Sequence, residues 1–212
     1  MKRLYFSILI ILGVVVTAPC LYAQKADSLI LVLERADSLY NAGNFEQALT
    51  DYDMVEVHYA LRDPLMKTLA ILSGGLCYYG LGEADTAEHV LMEGVERYAT
   101  LAQERPKIKE ALPISPYYRT LGMINIANKK YIKANGFLRK AMEENIGKYG
   151  DSHPEVASSL YDLALLHLTL GKSVSANAYL QEALNIYQAS GEEYAGKVVQ
   201  IKELLHQAED IQ

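Results

Sequence analysis

The stretch Asn41-Ala42-Gly43-Asn44-Phe45-Glu46-Gln47-Ala48-Leu49 decides the fold. A glycine followed by asparagine punctuates a helix. A second helical pattern comes next, with an alanine where close packing needs a small side chain. Three further segments fall into line when Ala87, Ala134 and Ala176 are placed in one column with Ala48, at spacings of 39, 47 and 42 residues. Twelve residues before that column the side chain is small, at Ala36, Gly75, Gly122 and Ala164. Four after it is large, at Tyr52, Leu91, Leu138 and Leu180, and seven after it is small or modest, at Val55, Gly94, Ala141 and Ala183. Five before it stand Gly43, Gly82 and Gly171. The third segment has Lys129 there, and its neighbour Asn128 is the residue expected to take the left-handed conformation.

The pattern predicts a repeated helical hairpin: a first helix of about 14 residues, a tight turn, then a second helix. The small residue of the first helix faces the alanine of the second, so the backbones approach closely and large neighbours fill the gap. One hairpin cannot bury both faces, so four stack into an all-α solenoid. Asp63-Pro64, Ser115-Pro116 and His153-Pro154 precede the first helices of repeats two to four. Proline suits the first helical position, and Asp or Ser before it caps free N–H groups. Residues 192–212 carry Val198, Ile201, Leu205 and Ala208 on one face, which predicts an amphipathic C-terminal capping helix.

These residues resemble the tetratricopeptide repeat (TPR), over about residues 29–190. The repeats fall at about 29–62, 68–101, 115–148 and 157–190, in a single domain of residues 24–212. The unit 41–49 is similar to the family's turn-and-second-helix signature. The fourth unit, from Gly150-Asp151-Ser152-His153-Pro154 to Ala183-Leu184, resembles the longer variety of kinesin light chains. Gly74 and Ser173 depart from the family's usual large and aromatic residues. The resemblance implies a TPR-type α-solenoid whose inner, concave surface comes from the first helix of each hairpin.

Lys2 and Arg3 precede an uncharged run from Leu4 to Ala23 that is densest over Leu4 to Val16. A basic start, an apolar stretch of that length and a small final residue predict a secretory signal peptide over 1–23, cut after Ala23. Two other readings stay open. The run is just long enough for an uncleaved anchor, and Cys20 is a candidate for lipidation, although Pro19 stands where a lipobox has a small residue. The repeated Ala-Asp-Ser-Leu at 26–29 and 36–39 resembles exported repeat proteins of Gram-negative bacteria. The expected location is the periplasm or cell envelope, or release from the cell.

The net charge of −6 argues against a nucleic-acid partner, since binding a duplex needs a basic surface. Two cysteines make neither a disulfide framework nor a zinc site, and after cleavage Cys77 is the remaining thiol, in an apolar stretch that predicts burial. The five histidines are scattered; His89 with Glu93 share a helix face but do not make a metal site. No phosphate-binding or nucleophile motif occurs, and the glycines of Ser73-Gly74-Gly75 lie inside a helical pattern. No catalytic residue, cofactor or metal is assigned, and the protein is not expected to be an enzyme.

The inner surface implied by the resemblance carries Leu33, Tyr40, Leu72, Leu76, Tyr79, Arg119, Met123, Ile126, Tyr161 and Leu165, with Asp37 among them. An exposed apolar and aromatic groove points to a protein or peptide partner; the competing reading is a groove filled by the protein's own tyrosines and its capping helix. From Arg105 to Lys148 ten basic residues meet three acidic ones, which is either a docking patch for an acidic partner or membrane surface or a solvated helix face. The expected function is a non-catalytic exported scaffold that holds a peptide segment of a partner. The alternative is a membrane-tethered structural subunit of a cell-envelope assembly.

Overall fold

Four turns set the architecture, and they share one hydrogen-bond pattern. In the computed structural model, which describes residues 29–59 and 63–209, the N–H of Gly43 donates to the Tyr40 carbonyl and that of Asn44 to the Leu39 carbonyl, both at 2.9 Å. The same pair of bonds closes the turns at Gly82, Lys129 and Gly171. Each is a helix C-terminus capped by a residue in the left-handed region. Gly43, Gly82 and Gly171 have φ of 79°, 81° and 68°, which glycine adopts without steric cost. In the third repeat Lys129 itself takes φ 58°, while Asn128 sits at φ −80°; the expectation for Asn128 is corrected. The reason is the bond pattern: the left-handed residue must be the one whose N–H meets the Ile126 carbonyl, and that residue is Lys129.

The chain runs as helical residues 29–41 (α1), α2 Phe45–Tyr59, α3 Pro64–Gly80, α4 Ala84–Glu104, a short α5 Ile108–Ala111, α6 Ser115–Ala127, α7 Tyr131–Tyr149, α8 Pro154–Thr169 and α9 Ser173–Ser190. A 3-10 turn over Glu192–Tyr194 then leads into α10 Ala195–Glu209. Helices α3 and α4, α6 and α7, and α8 and α9 pack as hairpins, and α7 against α8 and α9 against α10 continue the stack. The excess of the 47-residue spacing is taken up between α4 and α6. There Ile108, Leu112 and Ile114 turn inward and join the core, so the insertion fills the space it opens.

The aligned columns are the core. Ala48, Ala87, Ala134 and Ala176 have no exposed surface. The opposing small residues show why they are small. A Cβ on Gly75 would stand 2.7 Å from Leu91, and one on Gly122 would stand 2.5 Å from Leu138. In repeats two and three the large residue of the second helix therefore occupies the space a side chain on the first helix would need.

Helix starts agree in part with the sequence. Asp63 Oδ1 accepts from the N–H groups of Leu65 and Met66, and His153 Nδ1 accepts from that of Glu155. Ser115 does not cap: α6 begins at Ser115, which is buried, and Ile114 precedes it. At the far end Ile201 is fully buried against α9, with Val198 and Leu205 half-buried beside it. The Ala208 side chain and the expected signal segment 1–23 lie outside the described residues. Among the described residues no helix is long and apolar enough to cross a membrane.

Candidate partner-binding surface

The first helices of the hairpins, α1, α3, α6 and α8, carry the residues expected on an inner surface, and these residues are not equally open. Tyr79 is 41% exposed, at the C-terminal end of α3. Leu33, Tyr40, Leu76, Met123, Ile126, Tyr161 and Leu165 are half-buried. Leu72 is the exception: it is fully buried and closes on Gly94, where an added Cβ would stand 2.5 Å from it. The second repeat has glycine at the column seven after its alanine, so nothing holds the Leu72 side chain out of the hairpin. Leu72 belongs to the core and is withdrawn from the surface.

At the N-terminal end α1, α2 and α3 enclose a hollow of about 260 Å³ lined by Asp37, Tyr40, Asn41, Tyr52, Ser73 and Leu76. The Tyr52 hydroxyl donates to Asp37 Oδ1 at 2.6 Å. Burial, then the neighbouring Asp37 carboxylate, push the Tyr52 phenol far above its ordinary pKa. Ser73 lies near the Tyr52 hydroxyl and near Tyr117, which α6 brings alongside. Burial raises Tyr40 and Tyr117 as well. The hollow therefore presents the Tyr52 hydroxyl, held by Asp37, together with Tyr40, Asn41, Ser73 and Leu76.

Toward the C-terminal end Arg119 of α6 grips Asp162 of α8. Its Nε and Nη2 both donate to that carboxylate, the second at 3.0 Å. Asp162 is 1% exposed, whereas half of the Arg119 side chain faces solvent. The hydrogen bonds that Arg119 donates to Asp162 hold the guanidinium charge against the cost of its burial, and Tyr79 and Tyr187 lie near it. Further along, Gln200 Nε2 of α10 donates to the Tyr161 hydroxyl at 2.8 Å. The capping helix thus holds one aromatic of the inner surface, while Tyr79 stays open.

Asp162, Tyr52, Ser73 and Tyr117 join the site only in the folded chain. For Asp162 the sequence holds a signal. Arg119 and Tyr161 occupy the same column, fifteen before Ala134 and Ala176, so the residue after Tyr161 lies opposite the arginine one repeat earlier.

Five of the ten basic residues in the stretch 105–148, Arg119 among them, have partners. Lys130 Nζ meets Glu88 at 3.1 Å, Lys140 and Lys148 lie over the rings of Tyr118 and Tyr149, and Arg139 reaches the Tyr179 hydroxyl. Arg139 and Lys140 turn to these aromatics rather than to Glu143 and Glu144 four residues on. Cys77 is buried, and burial pushes its thiol up to about 11. His167 packs edge-on against Tyr179, and burial lowers its pKa. Among the described residues no three His, Cys, Asp or Glu side chains are placed to hold a metal ion.

Residues 114–189, which span α6 to α9, match the family model described as tetratricopeptide repeat. That stretch of the protein carries tetratricopeptide repeats. Solved structures share the architecture of this TPR solenoid at low identity. BtubC (BKLC) from P. vanneervenii is 21% identical, with a TM-score of 0.65 over 83% of this chain and 76% of that one. A kinesin-light-chain-like protein of nearly identical TPR-like repeats from Podosopora anserina is 19% identical, with a TM-score of 0.61 over 87% and 95%. The Rap conjugation gene regulator of plasmid pLS20, solved in complex with the Phr* peptide, is 15% identical. Its TM-score is 0.61 over 85% of this TPR chain, which spans 47% of its length. At these identities the likeness is one of fold. No curated protein sequence matches the chain.

Proposed function

We propose that the protein is a non-catalytic TPR scaffold whose inner surface holds a peptide segment of a partner protein, and that it acts after export, in the periplasm or cell envelope. The observation that carries the binding reading is the unfilled part of the inner surface. Tyr79 stands open beside Arg119, and the hollow at Asp37 lies toward α1. Aromatic anchors in a desolvated groove dominate interfaces of this kind. A protein of the same fold binds a peptide, the Phr* peptide in the Rap complex. Export rests on the reading of residues 1–23.

The test is capture of the partner from a cell-envelope extract after cross-linking. Changing Tyr79 and Tyr161 to Ala should weaken capture and leave helicity intact. Reversing the charge of Lys129 and Lys133 should leave it in place. The groove reading fails if the charge reversal abolishes capture and the tyrosine changes do not. N-terminal sequencing that starts at Gln24 supports export with cleavage. A diacylglyceryl group on Cys20 would overturn soluble release and favour a tethered subunit of an envelope assembly.

A further inference from the structure

The hollow between α1, α2 and α3 has a composition unlike the rest of the inner surface. Of its six lining residues, two are tyrosines, three are other uncharged residues, and Asp37 is charged. Tyr117 adds a third phenol ring within electrostatic reach of Asp37 and Tyr40. Asp37 accepts from the Tyr52 hydroxyl, and no lysine or arginine among the described residues forms an ion pair with it. The nearest cation in sequence, Arg35, is committed through Nε and Nη2 to Asp51, both at 2.6 Å. Three other carboxylates set against the packed helices are each answered by a cation: Asp51 by Arg35, Asp162 by Arg119, Glu88 by Lys130. Among the described residues, Asp37 meets a neutral hydroxyl.

A carboxylate beside aromatic side chains is an arrangement that receives an organic cation, through charge pairing first and through attraction to the rings second. A hollow of about 260 Å³ holds the volume of roughly eight waters, which is room for the end of a long side chain. The surrounding charge agrees: residues 29–104 carry thirteen acidic and four basic side chains, so this end of the solenoid attracts cations and repels anions. We propose that the Asp37 hollow is the subsite that receives a cationic side chain, ammonium or guanidinium, of the segment held on the inner surface. This rests on the reading of that surface as the partner-binding face, and the test separates the two.

The full-length chain, labelled for NMR, is titrated with Nα-acetyl-lysine amide, Nα-acetyl-arginine amide and the neutral Nα-acetyl-norleucine amide. The cationic probes should give saturable shifts at Asp37, Tyr52, Ser73 and Leu76, and norleucine should not. Asp37→Asn keeps an oxygen that can accept from Tyr52, so the fold is retained, yet affinity for the cations should drop about fivefold or more. Tyr52→Phe keeps the carboxylate and should keep cation binding. Equal shifts with norleucine, or an Asp37→Asn chain that binds the cations like the parent, overturn the proposal. If the Tyr79 and Tyr161 changes lose capture while the cationic probes leave these amides unmoved, the groove stands and the cation subsite falls. If the probes bind at Asp37 and the tyrosine changes leave capture intact, the cation site stands and the groove reading falls.

Discussion

Asp37 and Asp162 sit on first helices at opposite ends of the same inner surface, and their surroundings differ. Asp162 is buried and held by two hydrogen bonds from Arg119, a residue one repeat away. Asp37 is exposed and meets one phenol from the neighbouring helix of its own hairpin. The C-terminal end is also closed by α10, whose Gln200 holds Tyr161. The N-terminal end has no such closure among the described residues, and its hollow stays open. Among the described residues, one end of the solenoid therefore has its polar groups satisfied between repeats, and the other has a hollow left open.

The largest expected effect breaks the closed end. Arg119→Met leaves the Asp162 carboxylate buried without its cation, which should cost about 2–4 kcal/mol in urea unfolding followed by circular dichroism. Asp37→Asn in the same measurement should change stability by less than about 0.5 kcal/mol. Equal losses would erase the distinction between the two ends.

Next in size is overpacking at the shared column. Ala48→Leu and Ala176→Leu should each lower stability by about 1–3 kcal/mol, because both alanines lie where two helix backbones approach. An unchanged midpoint in both would mean that the repeat column does not mark the helix contact.

Smaller, and of opposite sign, is the turn of the third repeat. Lys129→Gly removes the cost of a side chain at φ 58° and should raise stability by about 0.5–1 kcal/mol. Gly171→Ala, at the equivalent turn of the fourth repeat, should lower it by about 1 kcal/mol. Opposite signs at equivalent turns would show that the bond pattern, not the residue type, imposes the conformation.

The smallest effect on stability lies at Cys77. Its thiol is pushed up to about 11 by burial, so the folded chain keeps it neutral. That contribution is complete below the ordinary thiol range and is lost as pH climbs toward about 11. Iodoacetamide at pH near 8 should therefore label Cys77 only as fast as the N-terminal hairpins open, and labelling at the rate of a free thiol would contradict its burial.

Legibility in the sequence varies by residue. The alanine column, its small and large companions and the three glycine turns are all readable, because each reports a contact inside one hairpin. Leu72 reads as a surface residue from the first-helix pattern alone, because its orientation depends on Gly94 in the opposite helix. Ser115 reads as a cap because the Ser-Pro pair suits two positions one residue apart, and the packing of Ile114 and Ser115 into the core chooses between them.

The order of amino acids is enough to set the architecture: an all-α stack of hairpins with a terminal helix, encoded in the spacing of small residues and turns. Close backbone approach within a hairpin tolerates few side chains, so it writes a local and periodic signal. Which inner positions are open, which carboxylate is clamped and which is free are settled only once the repeats stack. Those outcomes depend on the offset between successive first helices and on α10 folding back beside α8, as Arg119–Asp162 and Gln200–Tyr161 show. Contacts between repeats join residues some forty positions apart. Their alignment is fixed by the rotation of one hairpin on the next, and no short-range pattern records that rotation.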